Sequence, residues 1–162
     1  MKTLYMVRHA KSSWEHEVID HKRPLNKRGE KDVALVSKYA SKNLKAPEKI
    51  ISSDALRAST TAIQFKKAFE ISDVNFEMSH NLYDFSGHKV IELIKNLDDN
   101  YNIIMIVGHN HAFTSVANML GSIYIDNVPT CGFVEIHFEE TQWKAISRGT
   151  TIKTIFPRDL KK

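Results

Sequence analysis

The sequence has a single cysteine, Cys131, in 162 residues. No intrachain disulfide is possible, which fits a reducing compartment. Glycine and proline are scarce, at six and four. No stretch reads as a flexible linker, a low-complexity tract or an internal repeat, so one domain over residues 1–162 is expected. Long apolar runs are missing too. The longest runs from Ile103 to Val107, far short of a membrane span. Leu4 to Val7 is followed at once by Arg8 and His9, too short for a signal-peptide core. These absences read as a soluble, cytoplasmic protein with no membrane partner. Two kinds of phosphate machinery are also missing: a Gly-rich phosphate loop and an acidic cluster suited to Mg²⁺.

Hydrophobic residues make up 42% and charged residues 26%, with a formal net charge of +4. Such a balance suits a globular domain and is wrong for a disordered one. A domain of this length buries roughly 70% of its unfolded surface and needs no covalent staples. The 23 basic residues are 17 lysines and six arginines, spread without long blocks. A lysine-rich, scattered surface indicates solubility and argues against a nucleic-acid platform. It still favours anionic substrates. Four of the six arginines (Arg8, Arg23, Arg28 and Arg57) fall in the first 57 residues.

The apolar pattern alternates between short runs and helical stripes. Leu4 to Val7 reads as a buried strand, and residues 10–26 as a loop. Val33, Val36, Tyr39 or Ala40, and Leu44 form a helical face behind Asn26, a plausible N-cap. Lys49 to Ser52 reads as a strand, residues 56–70 as a helix, and Val74 to Met78 as a strand. Lys89 to Leu97 is helical. Asn102 to Val107 is the most apolar strand, expected to be central. Phe113 to Leu120 is helical. Phe133 to Phe138 and Trp143 to Ser147 alternate like an antiparallel pair at one edge. The order predicts a single-domain α/β fold with a mainly parallel sheet, helices on both faces and an antiparallel edge near the C-terminus.

In such folds ligands bind beyond the carboxyl ends of the strands. Arg8 and His9 follow the first predicted strand. Ser53, Asp54 and Arg57 follow the second. His80 and Asp84 follow the third, and Gly108, His109, Asn110 and His111 the fourth. Two imidazoles and two guanidiniums are thus expected at one edge. Arginines grip phosphoryl oxygens bidentately. A neutral imidazole attacks phosphorus, and neighbouring arginine charges depress its pKa in the required sense. The pattern points to phosphoryl transfer through a covalent intermediate, without a metal or other cofactor.

Val7-Arg8-His9-Ala10 after a first strand resembles the Arg-His-Gly signature of the histidine phosphatase superfamily, the phosphoglycerate mutase-like proteins. Arg8 to Glu15 resembles the longer opening motif. Asp20 to Gly29, with Arg23-Pro24-Leu25-Asn26, resembles the segment that follows in the small SixA-type branch. Ser52 to Ala58 with Thr61-Ala62 is similar to the second-arginine motif, and Ile106 to Asn110 to the second-histidine motif. Asn127 to Gly132 resembles the branch's approach to its late strand. The motifs occur in the family's order along essentially the whole chain.

The resemblance implies a phosphohistidine at His9, with Arg8, Arg57 and His109 holding the phosphoryl group. It implies a metal-independent phosphatase acting on a phosphoprotein, such as a phosphohistidine protein, or on a small phosphate ester. A mutase of the same superfamily and a non-catalytic phosphate-binding module are the alternatives. Departures are Ala10 for glycine, Glu15 for asparagine, Asp54 for proline and His111 for proline. Asp84 stands where the superfamily places a leaving-group acid, and is read equally as proton donor or structural carboxylate. Ser12 is read either as a phosphate donor or as a hydroxyl that closes its loop. Trp14 is a pocket wall or a core anchor. His109 and His111 lack a convincingly spaced third ligand for zinc. His16, His21, His80, His88 and His137 are read as surface residues, and Cys131 as inert. The oligomeric state is left open.

Overall fold

The computed structural model describes all residues, Met1–Lys162. β1 (Lys2–Arg8) runs into a long loop, residues 9–26, that contains a 3₁₀ turn at Asp20–Lys22. α1 (Lys27–Asn43), β2 (Lys49–Ser52), α2 (Leu56–Ala68) and the short β3 (Phe76–Met78) follow. Then come α3 (His88–Lys95), β4 (Ile103–Gly108), α4 (Ala112–Leu120), β5 (Phe133–Phe138), β6 (Thr150–Ile155) and α5 (Pro157–Leu160). The six strands form one sheet in the order β3-β2-β4-β1-β5-β6. β3, β2, β4 and β1 are parallel to one another, while β5 is antiparallel to β1 and β6 to β5.

Sequence periodicity accounts for most of this. Strand residues point alternately to the two faces. Leu4, Met6, Ile104 and Ile106 join α3 and α4 residues such as Val90, Phe113 and Val116 in one core. Tyr5, Val7, Met105 and Val107 join α1 and α2 residues such as Val33, Val36, Ala58 and Phe65 in the other. β4 is therefore buried on both faces, as its unbroken apolar run requires. Asn26 caps α1 as expected, its side chain accepting the Gly29 N–H at 2.8 Å. A Cβ at Gly29 would land on the Lys11 carbonyl, so only glycine lets the loop after β1 lie against this helix.

Two expectations are corrected at the edges. The partner of β5 is not Trp143 to Ser147 but β6, Thr150–Ile155. Trp143–Ala145 is a 3₁₀ turn, and the Trp143 indole is fully buried with its N–H donating to the Tyr101 carbonyl. Alternation alone did not separate a strand from an aromatic anchor. Val74 belongs to a second 3₁₀ turn, which leaves β3 only three residues long. No helix is long and apolar enough to cross a membrane.

Candidate active site

The carboxyl ends of β1, β2 and β4 lie side by side, with Ser52 beside Val107 and Arg8 beside Gly108. This register brings the residues after each strand to one point. The imidazoles of His9 and His109 have ring centroids 5.2 Å apart. Arg8, His9, Lys11, Ser12, Trp14, Asp20, Arg23 and Arg57 line a cavity of about 420 Å³, together with Phe85, Asn110 and Thr130. The four residues central to the sequence reading are thus brought together, three lining the cavity and His109 packed behind them.

His9 Nδ1 lies 2.7 Å from the Ala10 carbonyl oxygen. A carbonyl only accepts, so Nδ1 carries the proton and Nε2 keeps its lone pair. Burial pulls the His9 pKa down to about 3. The Ala10 carbonyl opposes this, and the charges at His109, Arg57 and Arg8 add to it. Arginine charge contributes as the sequence predicts, but desolvation is the larger cause. Ala10 itself avoids positive φ and anchors the turn by donating its N–H to Thr61 Oγ1 at 3.0 Å. The turn is thus one that a Cβ tolerates, which explains how alanine stands for glycine here.

His109 is fully buried at the end of β4. Its Nε2 is 2.8 Å from Ser53 Oγ, and that oxygen also accepts the Ala55 N–H. In the tautomer with the proton on Nδ1, the Ser53 hydroxyl donates to Nε2. Nδ1 is buried without a protein partner. Burial, with Arg57 next, pulls this pKa down to about 3 as well. Ser53 lies within the second-arginine motif, and only the tertiary contact ties it to His109.

Arg8 donates Nη1 to the Val128 carbonyl at 2.8 Å. Arg57 is buried and both its terminal nitrogens are held by Asp20: Nη1 donates to the backbone carbonyl at 2.7 Å and Nη2 to the carboxylate at 2.9 Å. Arg23 donates to the Asp20 carboxylate and to Ser12 Oγ. The Tyr83 hydroxyl donates to the same carboxylate at 2.7 Å. Partial burial pushes the Asp20 carboxyl up, but hydrogen bonds from Tyr83, Arg57 and Arg23 outweigh this and hold it well below its usual range. Two guanidiniums and a phenol therefore face one carboxylate. The Nε atoms of Arg8, Arg23 and Arg57 are buried and have no partner. Unpaired buried donors of one sign suit an anion.

The sequence pattern assigns no catalytic or binding role to Asp20, Arg23 or Tyr83. The density of arginine in the first 57 residues was a signal for Arg23; nothing local pointed to Asp20. Ser12 lines the cavity and accepts from Arg23, so it serves the pocket through that arginine. Trp14 is an exposed wall, its ring stacked 3.7 Å from the Arg23 guanidinium, and not a core anchor. His111 is exposed, and burial pushes the Cys131 thiol up, keeping it protonated.

Asp84 departs from the proton-donor expectation. Its carboxylate accepts hydrogen bonds from the backbone N–H groups of Ser86, Gly87, Lys89 and Val90 and from the Ser86 hydroxyl. It caps the first turn of α3 and is not among the cavity-lining residues. Burial pushes its pKa up, but those donors outweigh burial and lower it. A carboxyl held ionised by five donors is a poor acid.

Residues 4–88 match the histidine phosphatase superfamily (branch 1). An uncharacterized chloroplastic protein of Arabidopsis thaliana is 30% identical over 152 residues, which cover 88% of this chain and 69% of that protein. Among solved structures, the protein histidine phosphatase SixA complexed with tungstate has a TM-score of 0.80 at 15% identity, over 98% of this chain and 99% of that one. A mycobacterial glucosyl-3-phosphoglycerate phosphatase complexed with VO3 has a TM-score of 0.73 at 13% identity, over 94% and 98%. The likeness to these structures is one of fold. The match over residues 4–88 goes further: it takes in more than half of the chain, with His9 and Arg57, and this chain belongs to the histidine phosphatase superfamily, branch 1.

Proposed function

We propose that the protein is a phosphatase that works through a phosphohistidine at His9, without a metal in the chemical step, on phosphoryl groups carried by protein histidine. The observation that carries this is the His9 imidazole: buried, neutral, with Nδ1–H pinned to the Ala10 carbonyl and Nε2 left free in a cavity walled by guanidiniums. Nε2 attacks phosphorus in line and the P–N or P–O bond of the substrate breaks. Arg8, Arg57 and the His109 Nδ1–H hold the equatorial oxygens as charge spreads onto them. Water then cleaves the P–Nε2 bond, releases phosphate and restores His9.

The missing acid favours a nitrogen-bound phosphoryl group. An alkoxide leaving group needs a proton. A phosphoimidazole already protonated on its other nitrogen leaves as neutral imidazole. Asp84 is committed to capping α3, so in this reading it gives no proton. The open mouth, with Trp14 and Phe85 exposed beside the cavity, suits a protein surface better than an enclosed metabolite. It also weighs against a mutase, which must hold its substrate away from water between two transfers.

The test is hydrolysis of a phosphohistidine protein with EDTA present, compared with an alkyl phosphate and with p-nitrophenyl phosphate. The reading predicts turnover of the phosphohistidine protein and of p-nitrophenyl phosphate, and little of the alkyl ester. A variant His9→Ala that retained turnover would overturn the mechanism. Binding of phosphate or vanadate without turnover of any substrate would favour a phosphate-binding module.

A further inference from the structure

Three side chains beside the cavity meet although the sequence scatters them. His21 lies in the 3₁₀ turn of the first loop, Asp54 between β2 and α2, and His80 in the turn after β3. His21 Nε2 is 2.9 Å from Asp54 Oδ1, and His80 Nδ1 is 2.9 Å from Asp54 Oδ2. The three donor atoms lie within 4.8 Å of one another. Tetrahedral zinc with bonds of about 2.0–2.1 Å separates its ligand atoms by roughly 3.3 Å, so side-chain movements of at most about 1.5 Å convert this cluster to a coordination shell. Neither imidazole uses its other nitrogen on a protein partner, so each proton can sit there and free the facing nitrogen as a ligand. The His80 side chain is 68% exposed and those of His21 and Asp54 about a third, which leaves water for a fourth position.

We propose that His21, Asp54 and His80 form a binding site for a zinc-class divalent ion, and that the ion acts as an inhibitory clamp on the mouth of the cavity. Two imidazoles and one carboxylate suit zinc, not magnesium, which prefers an oxygen shell. His21 adjoins Asp20, and Asp20 holds both terminal nitrogens of Arg57 and one of Arg23. A metal bound to His21 fixes the turn that carries Asp20. The substrate phosphate must compete with that carboxylate for the same arginines, so the clamp raises KM and leaves kcat largely intact. This effect rests on the phosphatase reading; the ion site itself does not.

The test begins with metal-free protein titrated with Zn²⁺ against a chromogenic chelator. One equivalent should bind to the wild type. His21→Ala and His80→Ala should each weaken that binding by at least about tenfold, since each removes one of three ligands. Zn²⁺ should raise the melting temperature of the wild type, by linkage to the folded state, and leave that of His80→Ala unmoved. Mg²⁺ should do neither. In turnover assays Zn²⁺ should raise KM several-fold in the wild type and not in His80→Ala. Equal Zn²⁺ affinity in the wild type and both variants would overturn the site, as would a loss confined to one variant or no binding by the wild type. Zn²⁺ binding lost in both variants, with kcat and not KM reduced by the ion in the wild type, would keep the site and overturn the clamp. Binding and melting need no catalysis, so they decide the site even if the phosphatase reading fails.

Discussion

His109 and Arg57, deep in the cavity region, are 0% and 2% exposed, whereas Trp14 and Phe85 at its mouth are 78% and 46% exposed. The deep group is carried on or just beyond β1, β2, β4 and the start of α2. Its imidazoles are held by the Ala10 carbonyl and by Ser53, contacts made within the sheet edge. The mouth is built from the loop after β1 and the turns after β3. It is held by Asp20, by a stacked Trp14–Arg23 pair and by imidazoles around Asp54. Buried hydrogen bonds on rigid elements fix geometry, while exposed ion pairs contribute little energy and rearrange readily. On the proposed phosphatase reading, the difference is a division of labour: chemistry below, admission above.

Substitutions at the two levels should therefore differ in kind. The largest effect is expected for His9→Ala, a loss in kcat of at least about a thousandfold, or ~4 kcal/mol of barrier, equal for every substrate. Acid quenching destroys a phosphohistidine, so the covalent intermediate should be sought in base-quenched single turnovers with labelled substrate. Arg57→Lys should cost about a hundredfold, ~3 kcal/mol, because an ammonium cannot hold two oxygens in one plane. Competitive inhibition by vanadate should weaken in parallel. Near-normal vanadate affinity in that variant would move Arg57 to the mouth group.

Asp84 tests the boundary of the comparison from outside the cavity. Asp84→Ala should destabilise the fold by about 2 kcal/mol in urea melts through the lost cap of α3. The surviving folded enzyme should keep similar relative rates on alkyl and p-nitrophenyl phosphates. A selective loss on the alkyl ester would instead make Asp84 the acid.

The deep group should also set the response of stability to acid. His9 and His109 titrate near pH 6.5 when unfolded and at about 3 when folded. The folded chain then binds fewer protons across that interval. Their stabilising effect is complete above about pH 6.5 and is lost as the pH falls towards 3. The urea midpoint should fall across this window, and His9→Asn combined with His109→Asn should flatten the slope there. The smallest effect belongs to the mouth. Asp20→Asn removes the charge that competes for Arg57 and Arg23, so vanadate should bind a few-fold tighter, by less than about 1 kcal/mol, and more so at low salt. Weaker vanadate binding would show that Asp20 orients Arg57 for the ligand and does not compete with it.

Residue pattern by itself determined the alternation of strands and helices, the central place of β4, and the convergence of Arg8, His9, Arg57 and His109. Short apolar runs and helical stripes specify local structure, and a parallel α/β sheet collects its strand ends at one edge. The same reasoning placed the Asn26 cap, since its partner lies three residues away. Only the tertiary structure decided the rest. It paired Asp20 with Arg57 across 37 positions and gathered His21, Asp54 and His80 from three loops. It turned Asp84 onto α3, gave His109 a hydroxyl partner in Ser53, and moved the last strand to Thr150–Ile155. These features depend on where loops settle once the sheet is packed, and no periodicity encodes that: a polar side chain in a loop takes the partner that folding brings within reach, whatever its distance along the chain.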